Sequence, residues 1–241
     1  MAGLGAALLI YQAIFNKQEA TASMTATPIS TASTYLNTGE GLLYQTDGEI
    51  HFYHLTDSKQ NYTYGMGASD IRMSGSKSMT VVYNAASLQV VGAKSPIAIR
   101  GEVKGVECGT QYLGVLRTTE EGLETLLLLN PDGSACCEQL TFTPDQFVVD
   151  FGFYKTSGEM LWVETLSASA GMPTTTILIY DFSRIPQKEG EPTLFSPSGV
   201  INIQDQLVDK VFITSNSFFA AGTNQIIRYT HDGNKEIYRT T

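Results

Sequence analysis

The chain has 241 residues, of which 42% are hydrophobic, so it is long enough to bury a sizeable core and its composition does not indicate disorder. Its 24 acidic residues outnumber its 15 basic ones and give a formal net charge of −9. Because no stretch concentrates Lys and Arg as a phosphate-binding surface requires, the sequence argues against nucleic acid as a partner.

The chain begins with an apolar segment. Residues 2–15, AGLGAALLIYQAIF, carry no charge, and as a helix they would extend about 21 Å, against a bilayer core of about 30 Å. Three interpretations fit: a transmembrane helix clipped at its start, the apolar region of a signal peptide with a weak cleavage site at Ala20-Thr21-Ala22, or a helix packed on the domain. The segment that follows is rich in Ser, Thr and Ala, as in a flexible stalk. We therefore favour an anchor over residues 1–17 and a linker over residues 18–38.

From residue 39 to residue 241 the sequence is typical of an all-β domain. No window keeps apolar residues at helical spacing for three turns, whereas short β-branched and aromatic runs alternate with Gly, Asn, Asp and Ser turns. Hairpins recur at intervals of roughly 40 to 50 residues, and a further hairpin precedes several of them. The recurring strands are centred on Tyr53, Val90, Leu128, Ile179 and Ile227.

This recurrence indicates a repeated unit of four antiparallel strands. A small twisted sheet can bury its faces only against a neighbour, so the pattern predicts a β-propeller-like fold with about five four-stranded blades. The alternative is a two-layer sandwich, which also contains evenly spaced hairpins. The first blade lacks a clear inner strand and no closing strand is evident. We therefore expect an incomplete ring, preceded by the N-terminal apolar helix, in a chain clipped at both ends relative to a longer protein.

The order of these features resembles a known family. An apolar start, a Ser/Thr-rich stalk and irregular blades such as DIRMSGSKSMTVVYNAASLQVVG and DKVFITSNSFFAAGTNQIIRYTHDGNKEIYR are similar to those of uncharacterised bacterial membrane proteins with an extracytoplasmic β-propeller of unknown function. The resemblance extends over residues 1–241 in pattern, without an invariant motif. It implies a single N-terminal anchor in the cell membrane and a propeller outside the cytoplasm, and it brings no catalytic residues. The sequence motifs of the WD and kelch repeats are missing.

Few residues suggest a reactive or metal-binding site. His51 and His54 lie three apart on a predicted strand and would face opposite sides of it, which argues against a shared metal ion. His231 is the only other histidine. The S-x-x-K match from Ser74 to Lys77 lies in a turn between two strands, whereas a nucleophilic serine of this kind opens a helix. We therefore predict no catalytic, cofactor-binding or metal-binding residues.

Three cysteines, Cys108, Cys136 and Cys137, are too few for a disulfide scaffold. We expect them to be small buried side chains, as free cysteines commonly are. A bridge from Cys108 to either Cys136 or Cys137 remains an alternative, because neighbours on a strand point to opposite faces and only one of the two could reach it easily.

The function we favour from the sequence is a non-catalytic binding or scaffolding module, tethered to the membrane through its N-terminal segment. Its channel or its rim loops would bind a protein, a peptide or a cell-envelope polymer. Such a surface could be lined by aromatic side chains, most of which could equally belong to the blade core; the candidates are Tyr62, Tyr64, Phe153, Tyr154 and Trp162.

The alternative function is a propeller-fold hydrolase or lyase with carboxylates at the channel mouth. The acids nearest the predicted inner strands are Glu102, Glu107, Asp150 and Glu164. Two of them within reach of each other, with at least one shifted in pKa, would favour this enzyme.

Overall fold

The computed structural model describes most of the predicted β domain. The described residues are 29, 34–38, 40–46, 49–64, 70–76, 78–154, 160–168, 171–185, 194–204, 207–214, 217–223, 225–230 and 235–239. Apart from residue 29 they belong to one compact unit, Ser33–Thr241. The predicted anchor over residues 1–17 lies outside the described residues. None of the helical segments in the described ranges is long and apolar enough to span a bilayer.

Within the described ranges, twenty strands form five four-stranded antiparallel sheets. Sheet 1 contains β1 (Tyr35–Asn37), β2 (Gly41–Thr46), β3 (Glu49–His54) and β4 (Tyr62–Tyr64). Sheet 2 contains β5 (Arg72–Gly75), β6 (Thr80–Tyr83), β7 (Ser87–Val90) and β8 (Ile97–Ala98). Sheet 3 contains β9 (Glu102–Cys108), β10 (Leu113–Thr118), β11 (Glu124–Leu129) and β12 (Leu140–Thr141). Sheet 4 contains β13 (Gln146–Tyr154), β14 (Met160–Ser167), β15 (Thr174–Asp181) and β16 (Gly199–Gln204). Sheet 5 contains β17 (Val208–Ile213), β18 (Ser217–Gly222), β19 (Gln225–Thr230) and β20 (Lys235–Arg239).

In every sheet the strands follow one another in chain order, so each sheet is a simple meander. The first strands of neighbouring sheets lie side by side: β1 contacts β5, β5 contacts β9, and β9 contacts β13. We call the five first strands, β1, β5, β9, β13 and β17, the inner strands. Separate meanders joined along their inner strands are the arrangement of propeller blades, and they exclude the two-layer sandwich. The prediction of five four-stranded blades is confirmed.

The first blade has its inner strand after all. Residues Tyr35–Asn37 form β1, which pairs with β2 in a regular antiparallel register from Tyr35 opposite Tyr44 to Asn37 opposite Leu42. This strand lies inside the segment 18–38 that the sequence assigns to the linker, so the sheet domain starts earlier than predicted. Only Leu36 of the three residues packs against an apolar cluster. A strand this short and polar carries almost no periodic signal.

Apolar clusters hold successive sheets together. Leu43 and Ile50 meet Val82 between sheets 1 and 2, and Val81 and Leu88 meet Leu113 between sheets 2 and 3. Leu126 and Leu128 meet Leu161 between sheets 3 and 4, and Trp162 and Ile177 meet Ile227 between sheets 4 and 5. Among the described residues, no strand of sheet 1 makes an extensive contact with a strand of sheet 5.

The burial of the second strand in each sheet agrees with this stacking. In β6, β10 and β14 at least the first four residues are all buried, because sheets 2, 3 and 4 pack against a neighbour on both faces. In β2 and β18 the buried run is interrupted by half-buried residues, since sheets 1 and 5 each have one packed face. At the other side of the sheets, β20 is exposed along its whole length.

Candidate functional site

Four carboxylates from three consecutive sheets influence one another near the inner strands. They are Glu107 on β9, Asp150 on β13, Glu164 on β14 and Asp209 on β17. Asp150 acts electrostatically on both glutamates, and Asp209 acts on Glu164. We call these four residues the acidic site. Like charges held this close favour the protonated form of at least one member.

The centre of the site is the pair formed by Asp150 and Glu164. The two residues stand directly opposite each other in the antiparallel register of β13 and β14, so their Cβ atoms are about 5 Å apart on the same face of the sheet. On this face Trp162 also packs toward sheet 5. Like charges directly opposite on neighbouring strands are destabilising, which makes the pair a local cost to the fold.

Glu164 is the most unusual member. Only 1% of its surface is exposed, and neither of its carboxylate oxygens has a hydrogen-bond partner among the described residues. Removal from water, together with the charges of Asp150 and Asp209, raises the pKa of Glu164 to about 7. A buried carboxylate without donors is expensive to ionise, so the site favours a proton, or another positive charge, at this position.

Glu107 differs from Glu164 because its side chain is open to solvent. The surrounding protein, and then the charge of Asp150, raise the pKa of Glu107 to about 7, while a hydrogen bond with Ser74 opposes the shift. The next residue, Cys108, is buried between sheets 2 and 3.

A β-bulge in each of the three inner strands involved helps to direct the acids. The strand registers skip Lys104 in β9, Val149 in β13 and Asp209 in β17. A bulge adds one residue, twists the strand and redirects the side chains beside it. Asp150 directly follows the bulge in β13, and Asp209 is itself the bulged residue in β17.

Two basic side chains on the inner strands β5 and β9 have partners outside the acidic site. The guanidinium of Arg72 donates to the carbonyl oxygens of Lys104 and Val103 at 2.8 and 3.1 Å and lies over the ring of Tyr83. The ammonium of Lys104 pairs with Glu102 at 2.7 Å. No lysine or arginine in the described ranges contributes to the pKa shift of Glu107 or Glu164.

Three of the four acids selected from the sequence therefore come together, and one does not. Glu102 is exposed and takes part in the surface ion pair with Lys104. Asp209 was missed, although it stands at the start of a predicted hairpin, because the bulge that directs it leaves no mark in the sequence. The described residues contain no group of three potential ligands that could hold a metal ion.

The aromatic candidates serve mainly as core. The hydroxyl of Tyr64 donates to that of Tyr62 at 2.5 Å, and the ring of Phe153 packs near that of Phe182. Trp162 is buried between sheets 4 and 5, where Gly152 lies opposite it and leaves room for its indole ring. Tyr154 borders a cavity of about 560 Å³ at one end of the same interface. The described residues that line this cavity include no carboxylate.

The histidines and the S-x-x-K serine have structural surroundings. Nδ1 of His51 lies 2.9 Å from Oγ1 of Thr63, and Nδ1 of His54 accepts from the backbone N–H of Asp57 at 3.0 Å. Ser74 belongs to a strand rather than to the start of a helix. His231 and Lys77 lie outside the described residues.

All three cysteines are free. Cys108 belongs to the cluster between sheets 2 and 3, and Cys137 to the cluster between sheets 3 and 4. Because they lie on opposite faces of sheet 3, a bridge between them is excluded. Cys108 and Cys137 are buried, as predicted, whereas Cys136 is only partly buried and its Sγ lies 4.0 Å from Sγ of Cys137.

Comparison with known proteins identifies the fold. No protein-family model and no curated protein sequence matches the chain. Among solved structures, the Neurospora crassa Pan2 WD40 domain is similar with a TM-score of 0.56 and 11% identity over 86% of this chain and 64% of that one. Kluyveromyces lactis Hsv2 gives 0.52 and 10% over 91% and 75%. The WD40 domain of Toxoplasma gondii coronin gives 0.51 and 8% over 84% and 56%.

These similarities concern architecture. The chain spans less than two thirds of the Pan2 and coronin domains. Its five sheets follow the β-propeller arrangement of the WD40 type although the sequence lacks the WD motif. A fold shared at this level of identity does not assign a function, which has to be argued from the surface of this chain.

Proposed function

We infer that the chain is a non-catalytic binding module that takes a partner protein on its inner strands. The observation that carries this proposal is the mixture of exposed apolar side chains and acids on β13 and β17. Phe147 is 58% exposed and Phe212 is 53% exposed, and each lies three residues from an exposed acid, Asp150 or Asp209. Large apolar groups beside charges, presented on rigid strands, are typical of interaction surfaces.

A photo-crosslinking experiment tests the surface. Benzoylphenylalanine replaces Phe147 in one variant and Phe212 in another, and the matched control replaces Tyr238, which is also half exposed but lies on the outermost strand β20. We expect one and the same partner band from the two inner positions and its absence from the control. Equal labelling from Tyr238, or different bands from Phe147 and Phe212, would contradict a shared inner-strand surface.

We also propose that the propeller is tethered outside the cytoplasm by its N-terminal segment. The uncharged run over residues 2–15 and the Ser/Thr-rich stretch after it support this proposal. The test is protease access in bacterial spheroplasts that express the full chain with a C-terminal tag. We expect digestion of the tagged domain in intact spheroplasts and its release from the membrane when residues 2–15 are deleted; protection until lysis would contradict the proposal.

One observation favours a hydrolase or lyase as second candidate. Glu107 is exposed, has a pKa raised to about 7, and is influenced by Asp150; two interacting carboxyl groups, one with a raised pKa, are an arrangement that general acid catalysis uses. Against this, the described residues that line the cavity beside Tyr154 include no carboxylate. Hydrolysis of glycan or peptide substrates that disappears in both Glu107→Gln and Asp150→Asn would establish the enzyme and overturn the binding module.

A further inference from the structure

The acidic site contains a carboxylate that lacks a counterpart. Both oxygens of Glu164 are buried and accept no hydrogen bond from the part of the chain that the structure describes. Its neighbour across the sheet on β15 is Ile177, which cannot donate. Asp150 and Asp209 face it from β13 and β17 and can only repel its charge. Buried carboxylates are normally paired, so the position is arranged to receive positive charge from outside the described part of the chain.

We propose that the acidic site binds the cationic side chain of an arginine or lysine that the partner protein inserts between sheets 4 and 5 at Asp150, Glu164 and Asp209. This proposal rests on the proposed function and names the chemistry of the partner. Asp150 and Asp209 are exposed, so a cation arriving along the inner strands meets them first. Glu164 lies behind them as the desolvated end of the site.

An organic cation fits the arrangement better than a metal ion. The described acids do not form a group that could share one metal ion, whose bonds to oxygen are only about 2.0 to 2.6 Å long. A guanidinium carries five N–H donors in a planar fork and an ammonium carries three, so either can serve several acceptors that are farther apart.

The flanking side chains indicate a peptide rather than a free amine. Phe147 and Val149 are exposed on β13 immediately before Asp150, and Phe212 is exposed on β17 after Asp209. A basic residue with apolar neighbours would place its charge among the acids and its neighbours on these side chains. The net charge of −9 attracts a basic partner in addition.

Binding should be coupled to the release of protons. Glu107 and Glu164 both have a pKa raised to about 7, and Asp150 faces both of them. Beside Glu107, burial also raises the pKa of the Tyr83 hydroxyl and raises that of the Cys108 thiol to about 12, so these two groups stay neutral. A cation displaces the protons on the glutamates, and its affinity should therefore increase as the pH rises from 5 to 8 and level off above that.

The chain carries its own reporter. Trp162 is its single tryptophan, lies two residues from Glu164 on the same face of β14, and packs between sheets 4 and 5. Its fluorescence should respond to a change of charge or packing at Glu164.

The experiment measures the binding of an acetylated, amidated Phe-Arg-Val peptide to the full chain. Binding is followed by calorimetry and by the fluorescence of Trp162 at pH 5, 6, 7 and 8. The matched peptides carry lysine or citrulline instead of arginine; citrulline keeps the shape of arginine without its charge. We expect the arginine and lysine peptides to bind, and the citrulline peptide to bind more weakly than the arginine peptide by about tenfold or more. We also expect the affinity to increase with pH.

Variants locate the site. Glu164→Gln and Asp150→Asn should each lower the affinity for the arginine peptide about tenfold or more and make it less dependent on pH. Glu102 is an exposed acid outside the site, so Glu102→Gln should bind the peptide like the parent. Spermidine serves as the free-amine control and should bind more weakly than the arginine peptide at every pH. If spermidine and the peptide bind equally well, the site does not select a protein side chain.

Failure of this inference is distinguishable from failure of the proposed function. If the crosslinked partner is still labelled from Phe147 and Phe212 in the Glu164→Gln and Asp150→Asn backgrounds, and the peptides do not bind, the cation site is wrong while the binding module stands. If the crosslinks themselves are absent, the binding surface is wrong as well.

Discussion

Asp150 and Glu164 face each other across β13 and β14 with two carboxylates of the same sign, one exposed and one buried without a donor. The arrangement makes the stability of the protein depend on pH. Burial raises the pKa of Glu164 to about 7, above the value of 4.5 for an unperturbed group. The contribution of protonated Glu164 to the stability of the fold is therefore fully present below pH 4.5 and is lost as the pH rises through 7. In this range the folded state still holds the proton that the unfolded state has already released.

The variant Glu164→Gln tests this dependence. Glutamine keeps the shape and cannot ionise, so we expect the variant to gain stability relative to the parent between pH 5 and pH 8, by about 3 kcal/mol at most. Urea unfolding of the full chain, followed by the fluorescence of Trp162, measures the difference. Glu102→Gln should show no such gain. A difference between parent and Glu164→Gln that does not change with pH would contradict the raised pKa.

The three thiols should differ in reactivity. The neighbouring thiol of Cys137 lowers the pKa of Cys136, whereas burial raises the pKa of Cys108 to about 12. Thiolates are the reactive species, so iodoacetamide should modify Cys136 before Cys108 and before Cys137, because the hydrogen bond with Cys136 and burial raise the pKa of the Cys137 thiol as well. Mass spectrometry of peptides at increasing times reads out the order, and all three should react together in urea. A Cys108 peptide that stays disulfide-linked in urea would overturn the assignment of free thiols.

Arg72 joins the inner strands of sheets 2 and 3 by donating to two successive carbonyl oxygens of β9. Lysine preserves the charge but not the fork, so Arg72→Lys should lose one of these hydrogen bonds and destabilise the fold by about 1 kcal/mol. The comparison is Arg100→Lys at an exposed arginine, where we expect no measurable change. Thermal unfolding of the parent and the two variants measures the difference. Equal melting temperatures would mean that the hydrogen bonds from Arg72 to β9 do not contribute to stability.

Leu161 lies fully buried on β14 in the cluster between sheets 3 and 4. Its replacement by alanine removes apolar contacts from both sheets and leaves a cavity, so we expect a loss of about 2 to 5 kcal/mol in the free energy of unfolding. Leu55→Ala, at a residue that is about half exposed, should change it by less than about 0.5 kcal/mol. Similar losses at both positions would indicate that the sheets do not pack as described.

The architecture could be predicted because it depends on a pattern that the chain repeats. Each quartet of strands alternates apolar runs with turn residues, and strand centres such as Leu128 and Ile179 recur with the blade, so the number of sheets followed from spacing alone. The strand Tyr35–Asn37 was not predicted, because three residues with one apolar contact show no periodicity. The WD motif was not needed, since burial between sheets rather than one side chain defines the blade.

The acidic site could be predicted only in part. Glu107, Asp150 and Glu164 stand on strands whose inner position the spacing indicated, so they could be selected as candidates. Which acids lie close together depends on the bulges at Val149 and Asp209, because a bulge changes the direction of the side chains beside it. The residue types at these positions do not predict a bulge. The aromatic residues could be either surface or blade core on the sequence alone, and Trp162 and Phe153 pack in the core between neighbouring sheets.

Because every strand that the structure describes pairs only with its neighbour in sequence, each meander can form as soon as its own stretch of chain has left the ribosome, and it does not need to wait for a distant segment. The sheets can then be added to the growing stack one after another, from β1 toward β20. Synthesis and folding of this domain can therefore proceed in the same direction, and the apolar faces between two sheets are exposed only until the next sheet is complete.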